Sequence, residues 1–187
     1  MKKFLPLIIF VVVFGGVLAG QIGYKMFNKA PSEDVAVNNP EYASYESLFL
    51  HANYKTNDGS DLEMTKIHSP VVIYNFWASW CQPCLAEMPS MIALKKRFKP
   101  DEVSIVAINT DEEDQKINIQ KTLSKLGITN EFIIVPDQNS KLVTDFKVSA
   151  IPVTIIYHRG KVVHFSNGPM DFNSEEIFEK MKGWTSN

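Results

Sequence analysis

Cys81 and Cys84 are the only cysteines in the 187-residue chain, and they stand three positions apart in Asn75-Phe-Trp-Ala-Ser-Trp-Cys-Gln-Pro-Cys-Leu-Ala-Glu-Met-Pro89. Three chemistries use such a pair. A structural disulfide is the weakest, because closing so short a loop removes little entropy from the unfolded chain. Half a metal site is the second. A closed zinc site needs two more Cys or His ligands, and the four histidines show no paired spacing. Copper(I) would take the two thiolates, with Met88, Met91, His158 or His164 as further donors. The third is dithiol–disulfide exchange. There one thiol must ionise readily and attack, and the other must lie within reach to resolve the mixed disulfide.

The flanking elements favour exchange. Val71-Val-Ile-Tyr-Asn-Phe-Trp77 is a β-branched and aromatic run, the pattern of a strand buried on both faces. Gln82 to Phe98 turns helical, with Leu85, Met88 and Ile92 on an apolar side and Pro89 expected to kink it. Cys81 therefore falls at the helix's amino-terminal edge, where unpaired N–H groups and the helix dipole stabilise a thiolate. Cys84 lies one turn in, on the same side. Pro83 occupies a position where a missing N–H costs nothing.

The rest of the chain supplies an α/β frame. Asn57-Asp58-Gly59 between 52–56 and 62–66 predicts a leading β-hairpin. Strands are expected at 103–108 and 132–135, with helices at 113–126, closed by Gly127, and at 138–146. A second hairpin pairs 153–157 with 162–165 around His158-Arg-Gly160, and Ser174 caps a final helix carrying Ile177, Phe178, Met181 and Trp184. This order predicts a mixed central sheet with flanking helices. Asp111-Glu-Glu-Asp114 reads as a solvated charge run opening a helix, and His164 as a residue on an edge strand.

Ahead of this body, residues 4–24 carry no charge and are about as long as a membrane-spanning helix requires. Lys2 and Lys3 favour leaving that end in the cytoplasm, which exports the remainder. A cleaved signal at Val17-Leu18-Ala19 is the competing reading, and it would leave a soluble exported protein. Gln21 stands where a lipid-bearing cysteine would be needed, so a lipid anchor is discarded. The expected organisation is a signal-anchor over 1–27, a flexible tether over 28–46 and the catalytic domain over 47–187. The net charge of −2 includes three lysines before residue 26, leaving 16 basic against 21 acidic side chains downstream. A mildly acidic body without a basic run gives no footprint for nucleic acid.

The segment from Asn75 to Pro89, with Ser149-Ala-Ile-Pro152-Val-Thr further on, resembles the active site of the thioredoxin superfamily. With Glu87-Met-Pro89 and the anchor it is similar to the membrane-anchored TlpA/ResA/CcmG-type thiol–disulfide oxidoreductases of bacteria. The resemblance implies a thioredoxin-like fold over about residues 45–184, with Cys81 attacking, Cys84 resolving and the two forming the redox-active disulfide. It implies a cis Pro152 facing the disulfide, the backbone of Ile151 pairing with a bound partner, Trp80 bordering the site and Glu87 as its acid. Thioredoxins of the cytosolic kind carry a buried Asp where this chain has Asn75, which cannot exchange protons, so that burden shifts to Glu87. No cofactor and no metal is implied. The implied partners are protein thiols and disulfides outside the cytoplasm, in the periplasmic compartment, and a membrane thiol electron donor, with the chain acting as a monomer. The implied direction is reducing, in cytochrome c maturation or cuproprotein supply, although Val153 stands where some cytochrome-maturation members carry an acid. A copper(I) metallochaperone on the same fold is the alternative. A peroxidase is disfavoured, because Ala78-Ser79-Trp80 precedes Cys81 where that group has Thr-x-x-Cys.

Overall fold

The structure is a computed structural model, and it describes residues 40–186. The expected anchor, and the tether as far as residue 39, lie outside the described residues. Among the described residues no helix is long and apolar enough to cross a membrane.

The elements run α1 (Pro40–Leu50), β1 (Asn53–Lys55), β2 (Asp61–Glu63), β3 (Val71–Trp77), α2 (Gln82–Lys95), β4 (Val103–Asn109) and α3 (Gln115–Leu126). They continue with β5 (Ile133–Pro136), α4 (Lys141–Asp145), β6 (Val153–His158), β7 (Lys161–Asn167) and α5 (Glu175–Thr185). The main sheet has the order β5-β4-β3-β6-β7. β3, β4 and β5 are parallel, while β6 pairs antiparallel with both β3 and β7, so the sheet is mixed as expected. β1 and β2 form the separate leading hairpin around Gly59.

Every residue of β3 is buried, Asn75 included, as its β-branched and aromatic run requires of a central strand covered on both faces. One face packs Ile73, Ile105 and Ile156 with Met88, Met91 and Leu94 of α2 and Ile177 and Met181 of α5. The other packs Tyr74, Phe76, Val106 and Tyr157 with Tyr45 and Phe49 of α1 and Phe146 beyond α4. The β6–β7 turn places Arg159 at φ 50° and Gly160 at φ 79°, the paired positive angles that match the twist of a tight hairpin.

Three expectations change. The tether was drawn to residue 46, but residues 40–50 form α1, with Tyr45 and Phe49 buried on the sheet. Pro40 opens the helix, where its missing N–H has no partner to lose. The helix expected at 138–146 is a 3-10 turn followed by α4, because Asn139 and Ser140 take left-handed angles. The buried Asp137 carboxylate holds this irregular start by accepting from the N–H groups of Leu142 and Val143 at 2.7 and 2.9 Å. α2 runs unbroken across Pro89 and ends at Lys95, three residues before the expected stop.

Candidate active site

The main chain leaves β3 at Trp77 and enters α2 through Ala78-Ser79-Trp80, with Cys81 as the helix N-cap. Cys81 Sγ accepts a hydrogen bond from Cys84 N–H at 3.3 Å. That donor is one of the unpaired N–H groups of the first turn, so it stands ready for negative charge on sulfur. Cys81 and Cys84 are joined as a disulfide with Cα atoms 5.3 Å apart. Cys84 is fully buried and Cys81 retains 5% exposure, which fits an outer sulfur that is attacked or attacks and an inner one that resolves. Trp80, which directly precedes Cys81, is 68% exposed.

The Ile151–Pro152 bond is cis. Phe76 pairs with Val153 across β3 and β6, so Ile151 and Pro152 lie at the sheet end from which Cys81 departs. Ile151 also packs against the cluster that contains both cysteines.

Glu87, three residues beyond Cys84, is on the same side of α2 and 4% exposed. Its Oε1 accepts from Asn75 Nδ2 at 2.7 Å and its Oε2 from the Met170 N–H at 3.1 Å. Burial pushes its carboxyl above the ordinary glutamate range, and the two donors, Met170 first and then Asn75, pull it partway back. Asn75 Nδ2 also donates to Thr154 Oγ1, directly opposite it on β6, at 3.2 Å. The expected core amide is thus also the ligand that holds the acid. A buried carboxyl with an elevated proton affinity, one turn from a buried thiol, can accept that thiol's proton and return it.

Asp111 departs from its sequence reading. The charge run was expected to be solvated in the first turn of a helix, but α3 begins at Gln115 and Asp111 is 5% exposed. Its Oδ1 accepts from Ser79 N–H and Oγ–H at 3.0 and 3.1 Å, and its Oδ2 from Asn109 Nδ2 at 3.1 Å. Asp111 therefore braces the loop that delivers Cys81. Glu112 and Glu113 remain exposed, as expected of the run. Asp111→Ala would remove the acceptor of three donors, two on the part-buried Ser79 and one on the buried Asn109. A loss of about 1–3 kcal/mol in urea unfolding is expected, with faster amide exchange at Ser79. Unchanged Ser79 protection would refute the bracing role.

Among the described residues no group of three or more His, Cys, Asp or Glu side chains converges as a metal site. Met88 and Met91, named as soft ligands in the copper reading, are fully buried beneath α2. His164, on β7, pairs in register with Ile156.

A parallel-antiparallel mixed sheet with a Cys-x-x-Cys disulfide capping a helix, and a cis proline at the same end of the sheet, defines a thioredoxin-like dithiol–disulfide protein. The AhpC/TSA family model matches residues 48–165, and the chain belongs to that family and, within it, to the ResA-type thiol–disulfide oxidoreductases. It is 33% identical over 114 residues to the thiol-disulfide oxidoreductase ResA of Bacillus subtilis (strain 168), covering 60% of this chain and 62% of that protein. It is 30% identical over 155 residues to ResA of Geobacillus kaustophilus (strain HTA426), covering 82% and 83%. Among solved structures, StoA from Bacillus subtilis superposes with a TM-score of 0.56 at 26% identity, covering 73% of this chain and 98% of that one. The chain catalyses thiol–disulfide exchange.

Proposed function

We propose that this chain is an exported, membrane-tethered reductase of protein disulfides, working through Cys81 and Cys84 with Glu87 as the proton carrier. The observation that carries the reading is the arrangement of those three side chains on the first two turns of α2. Cys81 caps the helix, Cys84 is buried one turn in, and Glu87 is buried one turn further.

In the reduced enzyme the Cys81 thiolate attacks one sulfur of a substrate disulfide. That bond breaks, a mixed disulfide forms, and the first substrate sulfur leaves as a thiolate that takes up a proton. The Cys84 thiol then gives its proton to the Glu87 carboxylate, and its sulfur attacks Cys81 Sγ. The mixed disulfide breaks, the second substrate sulfur leaves, and two electrons have passed from enzyme to substrate. Cys81–Cys84 is then the oxidised state, which a dithiol donor at the membrane must reduce again. Trp80, Ile151 and Pro152 form the substrate edge, with the Ile151 backbone pairing to an extended chain as an added strand.

Export rests on the uncharged run at 4–24 behind Lys2 and Lys3. The names of the relatives stop at thiol–disulfide oxidoreductase, so apocytochrome c and cuproprotein substrates are part of this proposal.

Cys84→Ser in native membranes is expected to accumulate disulfide-linked partners that dithiothreitol releases, whereas Cys81→Ser captures none. Identification of the captured proteins names the substrate. A reduction potential near that of thioredoxin, roughly −270 mV, would support the reducing direction, and one near −120 mV would reverse it. Failure of both variants to capture partners, together with tight copper(I) binding that consumes both thiols, would replace the enzyme with a metallochaperone.

A further inference from the structure

Glu87 has a second connection that the exchange chemistry does not use. Met170, whose N–H binds Glu87 Oε2, sits in the segment between β7 and α5. Two residues earlier, Gly168 N–H donates to the carbonyl of Pro152 at 2.9 Å, carrying the β6–β7 ladder one step past Val153 and Asn167. Gly168 takes φ 130°, a conformation that side chains rarely adopt, so the chain can turn there from the strand toward Glu87. Its own carbonyl accepts from Ser166 Oγ at 3.2 Å, and the fully buried Phe172 pins the far end of the segment. One short stretch of backbone thus touches the acid at one end and the proline carbonyl at the other.

We propose that Gly168–Met170 is a clasp through which the protonation of Glu87 is communicated to the Ile151–Pro152 edge, so that the proton handed over by Cys84 loosens the seat of the departing substrate. The inference rests on the roles proposed above for Cys84, Glu87 and that edge. A hydrogen bond to a carboxylate is about twice as strong as one to a neutral carboxylic acid. Protonation of Glu87 therefore weakens its hold on Met170, and with it the Gly168 contact that fixes Pro152. The timing suits the reaction, because Glu87 gains its proton in the step that breaks the mixed disulfide.

The groups facing Glu87 make it a clean sensor. From β3 it meets the neutral Asn75, which also donates to Thr154 of β6, and from the clasp a backbone N–H. Cys84 is the ionisable neighbour on its own helix. Asp171 is exposed and accepts from Asn173 N–H, and Glu175 and Glu176 of α5 are paired with Arg97 and Lys180.

The test uses Cys84→Ser carrying a single-cysteine peptide on Cys81, installed as an activated disulfide. Formation of this complex does not depend on native substrates being captured in membranes. Hydrogen exchange and NMR titration of the amides of Met170, Gly168 and Ile151 are followed on both sides of the Glu87 midpoint. All three amides are expected to titrate together. Beyond the intrinsic pH dependence of exchange, protonation should speed Gly168 and Ile151 about tenfold, a coupling within the usual range for linked sites, and the uncharged Glu87→Gln complex should show the faster exchange on both sides of the midpoint. Glu87→Asp, which keeps an acid but shortens its reach to Met170, should titrate without moving Gly168 or Ile151. A Met170 amide that titrates alone, or equal exchange at Gly168 and Ile151 in ionised Glu87 and in Glu87→Gln, would reduce the clasp to a static anchor.

Discussion

Glu87→Gln is expected to slow resolution of the mixed disulfide by about 10²-fold or more, the usual loss when a positioned acid–base group is removed. Single-turnover reduction of a peptide disulfide separates the steps. The first attack, by Cys81, should change little, because its thiolate is stabilised by the helix terminus and the Cys84 N–H. Resolution needs Glu87 ionised, so its rate in the natural enzyme should rise with pH through the Glu87 midpoint. Burial has lifted that midpoint above the ordinary carboxylate range. In Glu87→Gln this limb should disappear, leaving only the rise from direct ionisation of Cys84. The stability consequence has the opposite sense from a salt-bridged carboxylate. Glu87 binds its proton more tightly when folded, so its contribution is fully present below the unfolded glutamate value and is lost as pH rises through the folded one. Equal resolution rates and superimposable pH profiles in the two proteins would remove Glu87 from the mechanism.

How much of this site was legible in the sequence follows from what each residue contributes. Cys81 and Cys84 are read by spacing alone, and the strand and helix around them by the switch from a β-branched run to a helical period. Glu87 was named through the resemblance, and helix geometry adds only that it lies one turn beyond Cys84 on the same side. Asp111 was misread because its partner, Ser79, is 32 residues away and joins it only when β3 and β4 pair. Its neighbours Glu112 and Glu113 are surface charges, and composition could not separate one buried carboxylate from two exposed ones. A Ser two residues before the first cysteine and an Asn two before the acid were the available signals. Met170 contributes a backbone N–H, which carries no side-chain signature at all. The sheet order was largely legible, since strands joined by helices run parallel and hairpins run antiparallel. The start of the domain was not, and its correction has a measurable consequence.

Phe49→Ala is expected to cost about 3–5 kcal/mol in chemical unfolding, the range for deleting a well-packed aromatic ring. α1 was hidden because its apolar stripe is written largely in tyrosine, and phenols raise mean hydropathy little. Tyr42, Tyr45 and Phe49 nonetheless fall at helical spacing on one face. The Phe49 ring lies 4.4 Å from that of Tyr157 and 5.7 Å from that of Tyr74, both in the second core cluster. Tyr157 Oη donates to the carbonyl of Tyr45 at 3.3 Å, so the same strand residue both stacks on the helix and bonds to it. Glu46 ties the helix to β7, accepting from Val162 N–H at 3.1 Å and pairing with Lys161 at 2.6 Å. The pair with Lys161 is exposed on the lysine side and contributes little, so the aromatic packing is the larger effect. A chain begun at residue 47 would therefore lose Tyr45 and Glu46 and unfold at lower urea than one begun at residue 40. The disulfide itself should persist in both, because α1 covers the sheet face opposite α2. A loss below about 1 kcal/mol for Phe49→Ala would mean that α1 merely rests on the sheet, and would restore the domain boundary to residue 47.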